Sequence, residues 1–399
     1  MLLLKNNIST TKHSVGFTYD PTNSSPALTA SGTPEMVDLG IFYSKIKPVL
    51  LQDNLTEYAT LATWANPLIT QTGLPLDGTL GQVMVRIPKF YYREVLDGAG
   101  ILIGADISET PKVGYTLHPK FSYGANNNYV YVAAYQAGDD GGTKLKSASG
   151  VAVLSSQALS TFRTRAAARG AGWYQYDFWT HHLLQLLTYV YYRTFDIQSV
   201  LPGYTEASTY NVSYHRSTGR SNALTTPNGS IDADLAGVDS DLVAAGITTG
   251  EKIANRFMWI ENIYGHIWTM IDGFAADGRT TSTNKAYVTA DPGKFSSNEA
   301  TVLANYDDLG ILLPGDTNEN FIKYLGAGLM PKTHGGTEST YVTDYFWSYL
   351  DDNTRNYFRL CRVGGHLSLG SSCGGSSRAV LHDLGAAYSF IGSRLCAVK

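Results

Sequence analysis

Charge is scarce in this chain. Of 399 residues only 16% are Asp, Glu, Lys or Arg, and the net charge is −4. That balance gives no electrostatic case for nucleic acid or an anionic membrane as partner. Cysteine is nearly absent as well. Cys361, Cys373 and Cys396 are the whole complement, an odd number without C-x-x-C spacing, which argues against a disulfide scaffold and a thiolate zinc site. No apolar run approaches the roughly 18 residues of a membrane span. The opening MLLLKNN is too short for a signal peptide and lacks a cleavage site, so release by lysis rather than secretion is expected. No G-x-x-x-x-G-K-[ST] loop occurs. No nucleophile–base–orienter set can be picked out, and a non-enzyme is expected.

Glycine (40) and tyrosine (27) are abundant instead, a profile that suits a strand- and loop-rich extracellular or virion protein. The first block, 1–104, has its clearest strand signal in GQVMVRIPKFYYREV, where Val83, Val85 and Ile87 alternate. It reads as a β-rich attachment and oligomerisation domain. In the second block, 105–399, NYVYVAAYQA alternates around Tyr129, Tyr131 and Ala133 and reads as a strand. STFRTRAAARGAGW predicts a short helix with Ser160 as N-cap and Gly170 as the C′ glycine. A longer helix follows in YDFWTHHLLQLLTYVYYRTF, with Trp179, Leu183, Leu186, Leu187 and Val190 as its core stripe. His181 and His182 are adjacent and point to different sides, which is not metal-ligand spacing. Residues 200–250 turn polar and read as an insertion or long loop. Further strands are expected near Phe321–Leu325 and Thr340–Tyr349.

Several carboxylates sit in loops: Asp232, Asp234, Asp239 and Asp241, and Asp316 and Glu319 beside Asn318. Their oxygens could serve calcium, but they read as solvated loop charges, and no metal or cofactor is expected. His334 and Asp344 read as framework, Asp344 as a buried carboxylate paired to Arg359 or Arg362.

The last segment, GGHLSLGSSCGGSSRAVLHDLGAAYSFIGSRLC, has no helical period and little to specify a core. Ala386, Tyr388 and Phe390 are two apart and would share one face of an extended chain, as would Ala379 and Leu381. Ala387, Ser389 and Ile391 would then point inward. This pattern separates positions free to vary from positions that are not.

The element WIENIYGHIWTMIDG, with Gly265, His266, Ile267 and Trp268 at its centre, resembles the central signature of C-type-lectin-fold proteins of the formylglycine-generating-enzyme-like and phage variable-protein branch. The two helices near 160–193 match the pair that opens that fold, and the ending VGG…IGSRL is similar to that of the same group. The resemblance covers about 107–399. The first block resembles N-terminal parts of phage and prophage tail proteins. Within the group, one set ends on a segment written by a diversity-generating retroelement, in which asparagines mark AAY template codons. Laid on this chain, those asparagines fall at Ser368, Leu369, Ala379, Leu381, His382, Ala386, Tyr388 and Phe390, and Leu367 stands where Trp is usual. His366, Leu367, Ser371 and Ser372 complete the expected rim. Gly364, Gly365, Gly370, Ile391, Gly392 and Arg394 keep the framework. Randomising the first two bases of AAY cannot yield Lys, Glu, Gln, Met or Trp, and none of these occurs from Gly364 to Ser393.

The resemblance implies an α+β chain: a β-rich N-terminal domain, then a C-type-lectin-like domain with two helices, an insertion and a variable segment at 364–396. It implies a tail-fibre receptor-binding protein in the virion, a homotrimer joined to other tail proteins, that binds a bacterial cell-surface receptor, protein or glycan, without membrane insertion. The alternatives from the same fold are a non-diversified carbohydrate-binding lectin-like protein and a formylglycine-generating oxidase. The oxidase needs two close reactive cysteines at a spacing this chain lacks.

Overall fold

The computed structural model describes residues 14–22, 28–32, 42–61, 73–123, 128–207, 209–232, 253–279, 284–315, 320–350 and 357–399. At its centre is helix α2, Phe178–Tyr192, which follows the shorter helix α1, Leu159–Ala167. Asp177 caps α2, its carboxylate accepting from the Thr180 amide at 3.0 Å and the Thr180 hydroxyl at 2.8 Å. Leu183, Leu186, Leu187 and Val190 are buried as expected, whereas Trp179 is only partly covered. His181, His182, Gln185 and Thr188 on the other side are buried too. The helix is therefore enclosed all round, which its polar side chains permit by pairing internally. His182 stands 2.7 Å from Glu94 and 2.9 Å from His118, while His181 stands 3.2 Å from the Tyr176 hydroxyl. The expected cap of α1 is corrected. The N-cap is Ala158, without a side-chain bond, and Ser160 lies inside the first turn. Among the described residues no helix is long and apolar enough to cross a membrane.

The molecule is strand-rich with few helices, a mixed α+β architecture. A five-stranded sheet runs in the order Thr29–Gly32, Val15–Thr18, Leu102–Ser108, Tyr91–Leu96, Thr116–Leu117. A six-stranded sheet runs Trp173–Gln175, Leu395–Val398, Tyr129–Ala133, Gln82–Pro88, Lys47–Leu51, Glu57–Thr60. The expected division between 104 and 105 falls inside the strand Leu102–Ser108. Met84 pairs with Ala133, and Val132 pairs in turn with Cys396. Strands from both expected blocks, and the end of the chain, thus share one hydrogen-bonded ladder.

The largest sheet carries the segment of interest. Trp268–Asp277, buried along its whole length, pairs antiparallel with Phe358–Val363. Arg378–Val380 lies between Phe358–Val363 and the parallel strand Tyr345–Ser348. Ile391–Gly392 pairs parallel with Trp268 and Thr269. The chain from 364 to 392 therefore leaves the sheet, re-enters it at 378–380, leaves again and returns at 391. Two loops, 364–377 and 381–390, join these strands, the second still bonded to the sheet where the Leu360 amide donates to the His382 carbonyl at 2.9 Å and the Trp268 amide to the Phe390 carbonyl at 3.0 Å.

The described part of the polar insertion is pinned from below. The buried Glu261 carboxylate accepts from the Gly219 amide (2.8 Å), the Ser221 amide (2.6 Å) and the Ser221 hydroxyl (2.8 Å). Arg256 donates to the carbonyls of Ser221 and Leu224, both at 2.8 Å, and of Thr226. Of the loop carboxylates named above, only Asp232, at the end of the strand Gly229–Asp232, falls within the described residues.

Candidate binding face

Glycine opens the first loop because the turn requires it. Gly364 and Gly365 have φ of 91° and 80°, conformations that L side chains rarely adopt. A Cβ on Gly365 would sit 2.3 Å from the Cys373 sulfur. Beyond them His366 is half-buried, its ring 5.1 Å from Tyr210 and 5.7 Å from Phe390. Ser368, Leu369 and Ser372 are partly exposed and Ser371 is exposed, its hydroxyl 3.2 Å from Glu338. The loop is held through its backbone. The Gln198 amide donates to the carbonyls of Ser371 (3.1 Å) and Cys373 (2.7 Å).

In the second loop Tyr388 is 37% exposed. Its ring stacks on Phe390 at 5.2 Å and 13° and meets His382 at 4.5 Å. Phe390 covers the Arg362 guanidinium at 5.1 Å, which also lies over the buried Trp268 ring at 4.9 Å. Cation–π layers of this kind hold an aromatic side chain at the surface without burying it.

Three residues expected on the face are not there: Leu367, Ala379 and Leu381 are 0%, 1% and 7% exposed. Ala379 sits in an interior strand, packed in the cluster that contains Trp268, Trp347 and Leu360. Leu367 packs on Tyr204 and Ala207. The alternation of 386–390 is also corrected. Ile391 is buried as expected, but Ala387 is exposed and Ser389 partly so. The reason is backbone shape: 386–390 is no strand, and the Ile391 amide turns back to the Tyr388 carbonyl at 3.1 Å. Of the expected residues, His366, Ser368, Leu369, Ser371, Ser372, His382, Ala386, Tyr388 and Phe390 are partly or fully exposed, and ring contacts bring His366, Phe390, Tyr388 and His382 together.

The framework below is pegged by buried arginines that donate to main-chain carbonyls. Arg359 reaches Leu381 (3.1 Å), Arg378 reaches Leu329 (3.0 Å), and Arg394 reaches Glu261 and Asn262. Asp344 is buried as expected. Its carboxylate accepts from the Ser376 amide at 2.5 Å, and the arginine acting on it is Arg378, not the Arg359 or Arg362 expected. Burial pushes its pKa well above the usual carboxylate range, and Arg378 offsets only part of this.

Sequence reasoning missed the insertion's part in this face. Tyr210 and His215 come from a stretch read as polar loop, although its tyrosines in YTEASTYNVSY were a signal of a packed segment. Burial lowers His215 to about 4, and burial followed by Arg362 lowers His366 to about 4. Both imidazoles are therefore neutral near pH 7. All three cysteines are buried with thiol pKa values raised by burial, Cys361 to about 12. Among the described residues no group of three or more His, Cys, Asp or Glu is placed to hold a metal ion.

No family model matches this chain, and no curated protein matches it.

Proposed function

We propose that this chain is the receptor-binding protein of a phage or prophage tail, with a C-type-lectin-like domain that presents a retroelement-diversified surface to a bacterial receptor. The observation that carries this reading is the split between loop side chains and loop framework. The side chains of 368–372 and 382–390 are mostly at the surface. The backbone beneath them is fixed by glycines, main-chain hydrogen bonds and buried arginines. Such a frame tolerates replacement of what it displays, because little of its stability depends on those side chains. Aromatics beside serine and glycine are also the composition of adaptable protein-binding surfaces. Buried, protonated thiols favour binding over thiol chemistry. Several copies on one fibre would raise a weak single contact by avidity.

The test is the DNA beside the coding sequence. A near-copy of the last ~100 bases, differing mainly at adenines and lying next to a reverse-transcriptase gene, is the expected finding. That length is about that of the codons for residues 364–396. Absence of both from the intact locus contradicts the proposal.

A further inference from the structure

One wall of the face does not belong to the terminal segment. Residues 204–207 are stitched to the first loop through backbone: the Ala207 amide donates to Leu367 O (2.7 Å) and the Gly370 amide to Thr205 O (2.9 Å). The same stretch holds the central signature, the His266 amide donating to Tyr204 O at 2.8 Å. A Cβ on Gly265 would meet Tyr204 O at 2.8 Å, so close approach here requires glycine. The chain then turns outward. The Tyr210 ring lies on His366 at 5.1 Å and edge-on to Phe390 at 5.7 Å. Its hydroxyl is 2.9 Å from His215 Nε2 and 3.4 Å from Ser389 Oγ. At the tip, Asn211 Oδ1 accepts from the Ser213 amide at 3.0 Å and orders a short 3-10 turn, Val212–Tyr214. That turn leaves Val212 52% exposed.

We propose that the arm formed by residues 204–207 and 209–216 is the constant half of the binding face, and that Tyr210 and Val212 contact the partner whatever the terminal loops display. The inference rests on the binding role proposed above. An arm outside the proposed variable segment gives every version of the face the same apolar anchor, and anchors of this kind dominate interface energy. Charge indicates the partner's chemistry. The cations of 204–216 and 364–398 are Arg216, partly exposed, and the buried Arg378 and Arg394, whereas Glu206, Glu338 and Asp383 are exposed at the rim. That rim repels phosphorylated or acidic glycans and suits a neutral to basic protein surface.

The test displays the full chain with the codons of Ser368, Leu369, His382, Ala386, Tyr388 and Phe390 randomised, and selects on two probes, lysozyme (a basic protein) and dextran (a neutral polysaccharide). Tyr210→Ser and Val212→Asp are then introduced separately into the selected clones. Lysozyme binders are expected, and either change should weaken most of them about tenfold or more, as loss of a shared anchor would. Val212→Asp alters an exposed side chain, so it reports on contact even if Tyr210→Ser lowers the melting temperature. Binders indifferent to both changes overturn the constant arm and leave the diversified face standing. Binders on dextran alone overturn the protein assignment. No binders on either probe overturn the binding role and this inference with it.

Discussion

Tyr388 and Ile391 stand three residues apart in opposite surroundings. Tyr388 is 37% exposed and leans on Phe390, whereas Ile391 is fully buried beside Trp268. Truncating each separates binding from folding. Tyr388→Ala is expected to lose or redirect host adsorption with a melting temperature close to that of the parent, since an exposed ring contributes little to the core. Ile391→Ala is expected to cost about 2–5 kcal/mol of stability while the intact fraction still adsorbs. Thermal melts read beside an adsorption assay decide this, and a Tyr388→Ala protein that melts far below the parent contradicts it. The exposure of Tyr388 and the burial of Ile391 were expected from a two-residue period, a rule that holds only where the chain is extended. The same rule misplaced Ala387 and Ser389, because a turn at 388–391 has no such period. Ala379 was misplaced for another reason: which strands flank it is a long-range fact that local spacing does not carry.

At the scale of elements, the arm and the two loops meet through histidines that burial keeps neutral. His215 and His366 titrate near 4 in the folded protein, below the ordinary value of about 6.5. As pH falls below about 6.5 the unfolded chain takes up protons that the folded chain refuses, so stability declines from there to about 4 and levels off below. Each histidine contributes at most about 3 kcal/mol to that decline. Melting temperatures measured between pH 7 and 4.5 should fall in the parent. They should fall less in a His215→Asn, His366→Asn double variant, and an identical slope in both contradicts the assignment. The arm's place was not legible in the sequence, since its polar residues look like any surface loop. Its anchors, the Leu367 carbonyl and the Gly370 and His266 amides, are distant in the chain from the groups they hold. Helix α2 was legible because its apolar stripe is strong, but its full enclosure was not, because buried histidines and glutamine mimic a solvent-facing side.

At the scale of the whole molecule, the expected division at 104/105 meets a sheet that ignores it. Val85 pairs with Val132, and the strand ending at Val398 joins the same ladder. A fragment of residues 105–399 is therefore expected to lack a cooperative thermal transition, because its strand Tyr129–Ala133 loses a neighbour on one side and leaves an apolar edge open. A sharp melt of that fragment would show that the later block folds alone. The central claim, that the fold is specified by the framework and only the displayed side chains are free, is tested most directly by protease resistance of two full-length libraries. One randomises Ser368, Leu369, His382, Ala386, Tyr388 and Phe390; the other randomises Gly365, Arg378, Ile391 and Arg394. Most members of the first should resist cleavage like the parent and few of the second should. Equal loss of resistance in the two libraries would contradict the claim.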